Sequence, residues 1–114
     1  MPTSGDVVLI DLGVPRGREA GFPRPAVVIT ADRILAADPS VLHVVPLSTT
    51  IRGFESEVVV EPMPVNGLQA LSAAQCQHLR SISPARIADT LGNVGPVVLA
   101  QLRETIAVVL DLPG

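Results

Sequence analysis

The sequence predicts a small, strongly bent antiparallel barrel, a mainly β fold with a single C-terminal helix packed against it. Short apolar runs of strand length follow one another along the chain, and turns marked by proline and glycine separate them. Only the last part of the chain shows a clear helical spacing of apolar residues. A parallel α/β sheet would need a helix after each strand, so the order of the segments favours the barrel.

The first two predicted strands enclose a long polar loop. Residues 5–12 form an apolar run flanked by aspartates, and the second strand covers residues 24–30. Within that strand the run Ala26-Val27-Val28-Ile29 is typical of a strand buried on both faces. The loop 13–23 carries glycines, a carboxylate and arginines, and a loop of this length without regular structure usually has a function.

The middle of the chain predicts further strands joined by turns. After a short helical pattern at 31–40, a third strand is expected at 41–47, where Pro46 suggests a sheet edge or a bulge because proline has no N–H to donate. The alternation in 54–61 predicts a fourth strand that pairs with the third as a hairpin. Asn66-Gly67 then marks a turn.

The last third of the chain contains the predicted helix. Residues 68–82 fit one or two strands, although their propensity also allows a helix. Ser83-Pro84 predicts a capped single helical turn, and 87–94 a last short strand. Gly95-Pro96 begins the helix, with proline at its first helical position. Its predicted apolar face consists of Val98, Leu102, Thr105, Ile106 and Val109.

The composition indicates one ordered globular domain spanning residues 1–114. Hydrophobic residues make up 47% and charged residues 17%, which argues against disorder. The net charge of −3 and the aromatic content of 2% are not those of a typical nucleic-acid-binding protein. However, all eight basic residues are arginines, and folding could gather several of them into one local basic patch.

The cysteine and histidine content and the hydropathy of the chain argue against disulfide-bonded, metal-binding and membrane-spanning proteins. Cys76 is the only cysteine, so an internal disulfide is excluded; it is either a core residue or a thiol that works with His78. The two histidines and the scattered carboxylates suggest no metal site, and no cofactor is expected. We see neither a signal peptide nor an apolar run of membrane-spanning length, which predicts a cytoplasmic protein without a membrane partner.

The remaining polar residues suit the cleavage of RNA by its own 2′-hydroxyl group. That reaction needs a group that takes the 2′ proton, a cation for the pentacoordinate phosphorane and a donor for the phosphoryl oxygens. Arg24, which Pro25 biases towards an extended conformation, is either such a cation or plain surface charge at a strand end. The hydroxyls of Ser48, Thr49 and Thr50 are candidate donors, or ordinary residues of a strand end.

The chain resembles the MazF/PemK toxin family along almost its whole length. The matching segments, in order, are Gly5-Asp6-Val7-Val8, Asp11-Leu12, Gly17-Arg18-Glu19, Arg24-Pro25-Ala26-Val27-Val28-Ile29, Val45-Pro46-Leu47-Ser48-Thr49, Arg52-Gly53, Leu79-Arg80-Ser81-Ile82 and Leu110-Asp111-Leu112. The resemblance implies a homodimer of SH3-like barrels of the CcdB/MazF/PemK type. It also implies a sequence-specific, metal-independent endoribonuclease for single-stranded RNA. Its products carry a 2′,3′-cyclic phosphate and a 5′-hydroxyl, and a cognate MazE-like antitoxin keeps it silent.

The resemblance also implies roles for individual residues. The family's catalytic arginine falls on Arg24 and its catalytic threonine on Ser48, where serine keeps the hydroxyl; either Ser48 or Thr49 could supply it. Glu19 matches the loop carboxylate of the family, although it could simply pair with a neighbouring arginine. His78 could shuttle a proton, read a base or satisfy a backbone group. The expected RNA-binding residues are Glu19, Arg16, Arg18, Arg52, Gln77 and His78.

Two other functions stay open on the sequence alone. Toxins of the same barrel fold poison a protein target such as DNA gyrase and need no active site. Alternatively, the chain is an inactive relative that still binds RNA in its groove but no longer cleaves it at the rate of an active nuclease. The joint presence of Glu19, Arg24 and the Ser48-Thr49 pair favours the nuclease over the protein poison, whereas the serine at position 48 in place of the family's threonine keeps the inactive relative open.

Overall fold

The computed structural model describes residues 1–11 and 23–113, and the predicted loop 13–23 lies outside that part except for Pro23. The described residues form a seven-stranded sheet, two α-helices and two short 3₁₀ turns. The strands are β1 (Asp6–Ile10), β2 (Arg24–Val28), β3 (Leu42–Ser48), β4 (Glu57–Val60), β5 (Ser72–Gln75), β6 (Arg80–Ile82) and β7 (Ile87–Asn93). The helices are α1 (Asp32–Leu35) and α2 (Gly95–Val109), and the 3₁₀ turns cover Cys76–His78 and Pro84–Arg86.

Antiparallel pairing joins the strands in the order β4-β5-β3-β2-β1-β7, and β6 pairs with β3 beside this path. β1 and β2 lie inside the sheet, where Val7 pairs with Val27 and Val8 with Ala26. Val27 and Val28 point to opposite faces, and both are fully buried. The prediction of a strand buried on both faces is therefore confirmed.

Alternate residues of the sheet feed two hydrophobic cores. The first lies between the sheet and α2, and the second lies on the other face against α1. Complete burial of a valine or leucine side chain contributes about 1.5–3 kcal/mol, so aliphatic residues stabilise this nearly ring-free protein. The first core includes Val7, Val27, Val45, Leu102 and Ile106, and the second includes Val8, Val28, Leu35, Leu42 and Ile82.

The pairing of β4 differs from the prediction. β4 pairs with β5 and not with β3, so the expected hairpin between the third and fourth strands is wrong. β5 lies between them, and its Ala73 and Ala74 are fully buried. Such small side chains let a strand enter the middle of the sheet, but they carry little of the β-branched signal by which strands are recognised.

Pro46 lies in an inner strand, so the predicted sheet edge is also wrong. β3 pairs with β2 on one side through Pro46 and its two preceding residues. On its other side the partner is β6 for residues 42–44 and β5 for residues 47–48. Pro46 thus lies where β3 changes partner, and a residue without an N–H is tolerated there.

Residues 68–82 form two strands separated by a 3₁₀ turn, so the helical alternative is wrong. Cys76 and His78 lie in that turn and do not share the face of one strand. The following cap is confirmed, because the Ser83 hydroxyl accepts a hydrogen bond from the Ala85 backbone at 3.3 Å.

Helix α2 begins at Gly95 as predicted, and Pro96 follows within the first turn. The Asn93 side chain accepts a hydrogen bond from the Gly95 N–H at 2.8 Å, which satisfies one of the free amides at the helix start. Leu102 and Ile106 are buried in the first core. Among the described residues, no helix is both long enough and apolar enough to cross a membrane.

Candidate active site

Arg24 is the first residue of β2, and its side chain is exposed. It pairs with Ile10 of β1, and Pro25 pairs with Leu9. The extended conformation that Pro25 predicts for Arg24 is therefore confirmed, and the strand fixes the arginine backbone. An arginine held in this way loses less freedom when it binds an anion.

Ser48 is the last residue of β3, and it is half-buried. The register between β2 and β3 runs through Val28↔Val44, Val27↔Val45 and Ala26↔Pro46. These pairs end at Ala26 and Pro46, so Arg24 and Ser48 each lie two residues beyond the last pair, at the same end of the β2–β3 ladder. A guanidinium and a hydroxyl therefore belong to the same end of two neighbouring strands.

The structure separates the two candidate hydroxyls. The Ser48 oxygen accepts a hydrogen bond from the Thr50 N–H at 3.1 Å, so its own proton is left for another acceptor. Thr49 lies in the bend after the strand and is exposed. Within the described part of the chain, its side chain makes no hydrogen bond. Ser48 is the more firmly held of the two.

A carboxylate that the sequence analysis did not single out closes the loop after Ser48. Glu57 begins β4, and its Oε1 accepts hydrogen bonds from the N–H groups of Arg52 at 3.1 Å and Gly53 at 3.0 Å. Its Oε2 is buried and finds no hydrogen-bond donor among the described residues. The sequence shows only an acidic residue soon after an Arg-Gly turn, which does not distinguish this carboxylate from a solvated one.

Gln77 and His78 lie in the 3₁₀ turn that contacts β3, β4 and α2. Gln77 is half-buried, and its Oε1 has no donor within the described residues. His78 and Arg52 are exposed. The other predicted RNA-binding residues, Arg16, Arg18 and Glu19, lie outside the described residues.

Cys76 is a core residue, and the interpretation of it as a catalytic thiol is wrong. Only 1% of its surface is exposed, and its Sγ lies 4.0 Å from the Leu102 carbonyl oxygen. Burial raises the pKa of the thiol from 9.0 to about 11, which keeps it protonated and poorly nucleophilic at neutral pH. Within the described residues, no cluster of three or more histidine, cysteine or carboxylate side chains could hold a metal ion.

The chain is similar to known proteins along nearly its whole length. Residues 3–110 match the family of PemK-like, MazF-like toxins of type II toxin-antitoxin systems. Endoribonuclease MazF9 of Mycobacterium tuberculosis (strain ATCC 25618 / H37Rv) is 35% identical over 116 aligned residues, which cover 98% of each chain.

Two solved structures are similar to the chain over nearly its whole length. An endoribonuclease in complex with its cognate antitoxin, from Mycobacterial species, is 20% identical with a TM-score of 0.79 and covers 100% of this chain and 99% of its own. The MazE-MazF structure (Form-II) from Deinococcus radiodurans is 23% identical with a TM-score of 0.78, covering 98% of this chain and 97% of its own. The predicted mainly β fold with a C-terminal helix is confirmed.

Proposed function

Because this chain belongs to the PemK-like, MazF-like toxin family of type II toxin-antitoxin systems, we propose that it is an endoribonuclease that cuts single-stranded RNA without a metal ion. The observation that carries the proposal is that Arg24 and Ser48 lie at the same end of the β2–β3 ladder, each two residues beyond its last pair. A relative 35% identical over the full chain bears the name endoribonuclease. Cleavage of messenger RNA then stops translation and growth.

The proposed reaction is an in-line transfer within the RNA. The 2′ oxygen bonds to phosphorus while the bond to the 5′ oxygen breaks, which leaves a 2′,3′-cyclic phosphate and a 5′-hydroxyl. The 2′ proton passes to Glu19 or His78, and the departing 5′ oxygen takes up a proton from water, which is regenerated when the base releases its own proton. Neither proton transfer neutralises the negative charge on the phosphoryl oxygens. The protein has to stabilise that charge in the transition state.

Arg24 and Ser48 supply that stabilisation. The guanidinium of Arg24 is always charged and binds two phosphoryl oxygens at once. The Ser48 hydroxyl donates a hydrogen bond to a phosphoryl oxygen, because its oxygen already accepts one from the Thr50 N–H. Fixed donors of this kind contribute about 3 kcal/mol each to transition-state stabilisation. The proposed RNA-binding residues are Glu19, Arg16, Arg18, Arg52, Gln77 and His78.

The partners follow from the same assignment. We assign residues 1–114 to one toxin domain that forms a homodimer in the cytoplasm and is held silent by a MazE-like antitoxin. The similar complexes of an endoribonuclease with its cognate antitoxin and of MazE with MazF support the antitoxin partner.

A long single-stranded RNA incubated with the purified protein in EDTA tests the function. The wild type should cut at a few sites, which primer extension maps, and Arg24→Ala should lower the rate about 10²- to 10³-fold with an unchanged melting temperature. Arg33→Ala is the matched control, because Arg33 is an exposed arginine of α1 outside the site. Full activity of Arg24→Ala would refute the mechanism. Growth arrest that survives this change would instead indicate a protein target such as gyrase.

A further inference from the structure

The Glu57 side chain holds the middle of the loop between β3 and β4. In residues 49–56 the N–H groups of Arg52 and Gly53 both point at Glu57 Oε1, at 3.1 and 3.0 Å. Consecutive amides that converge on one anionic oxygen form a strong, directional contact. The carboxylate thus takes the place of the backbone partner that these amides would have in a regular strand.

The same loop begins at the candidate catalytic hydroxyl. Thr50 donates its N–H to Ser48 Oγ only two residues before the amides that Glu57 holds. At the other end, Glu57 donates its own N–H to the Phe54 carbonyl at 3.0 Å, and Cys76 donates to the Ser56 carbonyl at 3.0 Å. The far end is therefore fixed by backbone hydrogen bonds, while among the described residues the Glu57 carboxylate is what ties the amides in the middle of the loop to the sheet.

Gly53 gives this loop a backbone conformation that favours glycine. Its φ is +73°, in the left-handed region that glycine adopts without strain, and no atom of the described residues beyond its two chain neighbours lies within 4 Å of where a Cβ would be. Glycine is needed here for its backbone conformation and not for space. That conformation turns the Gly53 amide towards the same oxygen as the Arg52 amide.

We propose that Glu57 is a positioning residue of the active site, which holds the loop 49–56 so that Ser48 and Arg52 keep their places for RNA cleavage. The proposal rests on the proposed function. Without the carboxylate, the Arg52 and Gly53 amides would turn to water and the Thr50 N–H would no longer be held against Ser48. Glu57 does not touch the RNA in this scheme, and it acts through the loop.

Kinetics on a defined RNA oligonucleotide test the role. Glu57→Ala should lower kcat about 10- to 100-fold with a small change in KM, since a misplaced group near the reacting atoms costs about this much. Glu57→Gln keeps an acceptor oxygen and should restore most of the rate. Gly53→Ala disturbs the same loop from the opposite side and should reproduce the loss in kcat. Glu61→Ala, which removes an exposed carboxylate just after β4, should leave kcat unchanged.

Amide hydrogen exchange gives a readout that does not depend on RNA cleavage. The Arg52 and Gly53 amides should exchange slowly in the wild type and quickly in Glu57→Ala, at an unchanged melting temperature. Equal exchange in both proteins, or a wild-type kcat for Glu57→Ala, overturns the positioning role even when Arg24→Ala is inactive. If the wild type cuts no RNA at all, the proposed function fails, and the exchange experiment still decides whether Glu57 holds the loop.

Discussion

The Ser48 hydroxyl oxygen accepts the backbone N–H of Thr50 at 3.1 Å, which fixes the side chain at the end of β3 and leaves its proton free. A hydroxyl held by its acceptor side is ready to donate, whereas the exposed Thr49 hydroxyl would first have to lose its conformational freedom. The hydrogen bond therefore favours Ser48 over Thr49 as the donor beside Arg24.

Ser48→Ala should lower kcat for RNA cleavage about 10²- to 10³-fold, because it removes a preorganised donor. Thr49→Ala is the matched control and should stay within about twofold of the wild type. Ser48→Thr should keep the activity, since it restores the hydroxyl and adds a methyl that restricts the rotamer. Single-turnover cleavage of a short RNA in EDTA measures all three. A large loss in Thr49→Ala with an active Ser48→Ala would reverse the assignment.

The buried thiol of Cys76 should make the protein less stable at alkaline pH. Burial raises its folded-state pKa to about 11 from 9.0, so the unfolded chain releases this proton first. The stability that the neutral thiol contributes is complete below pH 9 and is lost as the pH rises towards 11. A shift of this size corresponds to roughly 3 kcal/mol in the free energy of unfolding.

Urea unfolding between pH 8 and pH 11 measures this loss. Cys76→Ala should be somewhat less stable at pH 8, because it leaves a small cavity, but its stability should fall less steeply above pH 9. An equal slope in the two proteins would show that other groups cause the alkaline loss.

The local features of the fold could be predicted from the sequence, and the distant pairings could not. The β-branched run of β2 and the Gly95-Pro96 helix start are local signals, and the structure has both. The pairing of β4 with β5 depends on contacts distant in sequence, and the small residues Ala73 and Ala74 give little indication of a central strand. The sheet edge predicted from Pro46 is wrong because Pro46 lies where β3 changes partner from β6 to β5, and a missing N–H is tolerated there.

The residues of the candidate site also divide into those that the sequence identifies and those that need the structure. Arg24 and the hydroxyls could be identified from a family resemblance, because their types and order carry the pattern. Glu57 could not, because an acid at a strand start resembles a solvated charge and its partners are backbone amides, which leave no mark in the side-chain pattern. The choice between Ser48 and Thr49 also needed the strand register and the Thr50 hydrogen bond.

Asn93 ties the N-terminal segment to the start of α2, and its loss should destabilise the fold. Its amide donates to the Ser4 carbonyl and to Asp6 Oδ1, both at 3.1 Å, and its oxygen accepts the Gly95 N–H at 2.8 Å. Asn93→Ala would leave these partly buried groups without partners, so the free energy of unfolding should fall by about 2–3 kcal/mol.

Urea unfolding at neutral pH measures the effect, with Glu104→Ala on the exposed side of α2 as the control that should change stability by less than about 0.5 kcal/mol. If the free energy of unfolding falls no more in Asn93→Ala than in the control, water has replaced the hydrogen bonds of the Asn93 side chain.

Gly92 allows the turn around Asn66 to pack directly on β7, so a methyl group at this position should be poorly tolerated. A Cβ on Gly92 would collide with the Val65 carbonyl oxygen and lie 2.7 Å from the Asn66 carbonyl carbon. The turn cannot easily retreat, because the buried Asn66 side chain accepts the Met63 and Leu68 N–H groups, each at 3.0 Å. Gly92→Ala should therefore lower the free energy of unfolding by about 2–4 kcal/mol.

Gly53→Ala is the matched control for this prediction, because it changes a glycine to alanine without any steric overlap. The described residues leave open space around that position, so what opposes a side chain there is the left-handed φ of +73°, at about 1–2 kcal/mol. Thermal and urea unfolding should show that Gly92→Ala is less stable than Gly53→Ala. Of the two variants, only Gly53→Ala should lower kcat, because it disturbs the loop that Glu57 holds. Equal stability of the two variants would mean that the turn moves away from β7 at little cost.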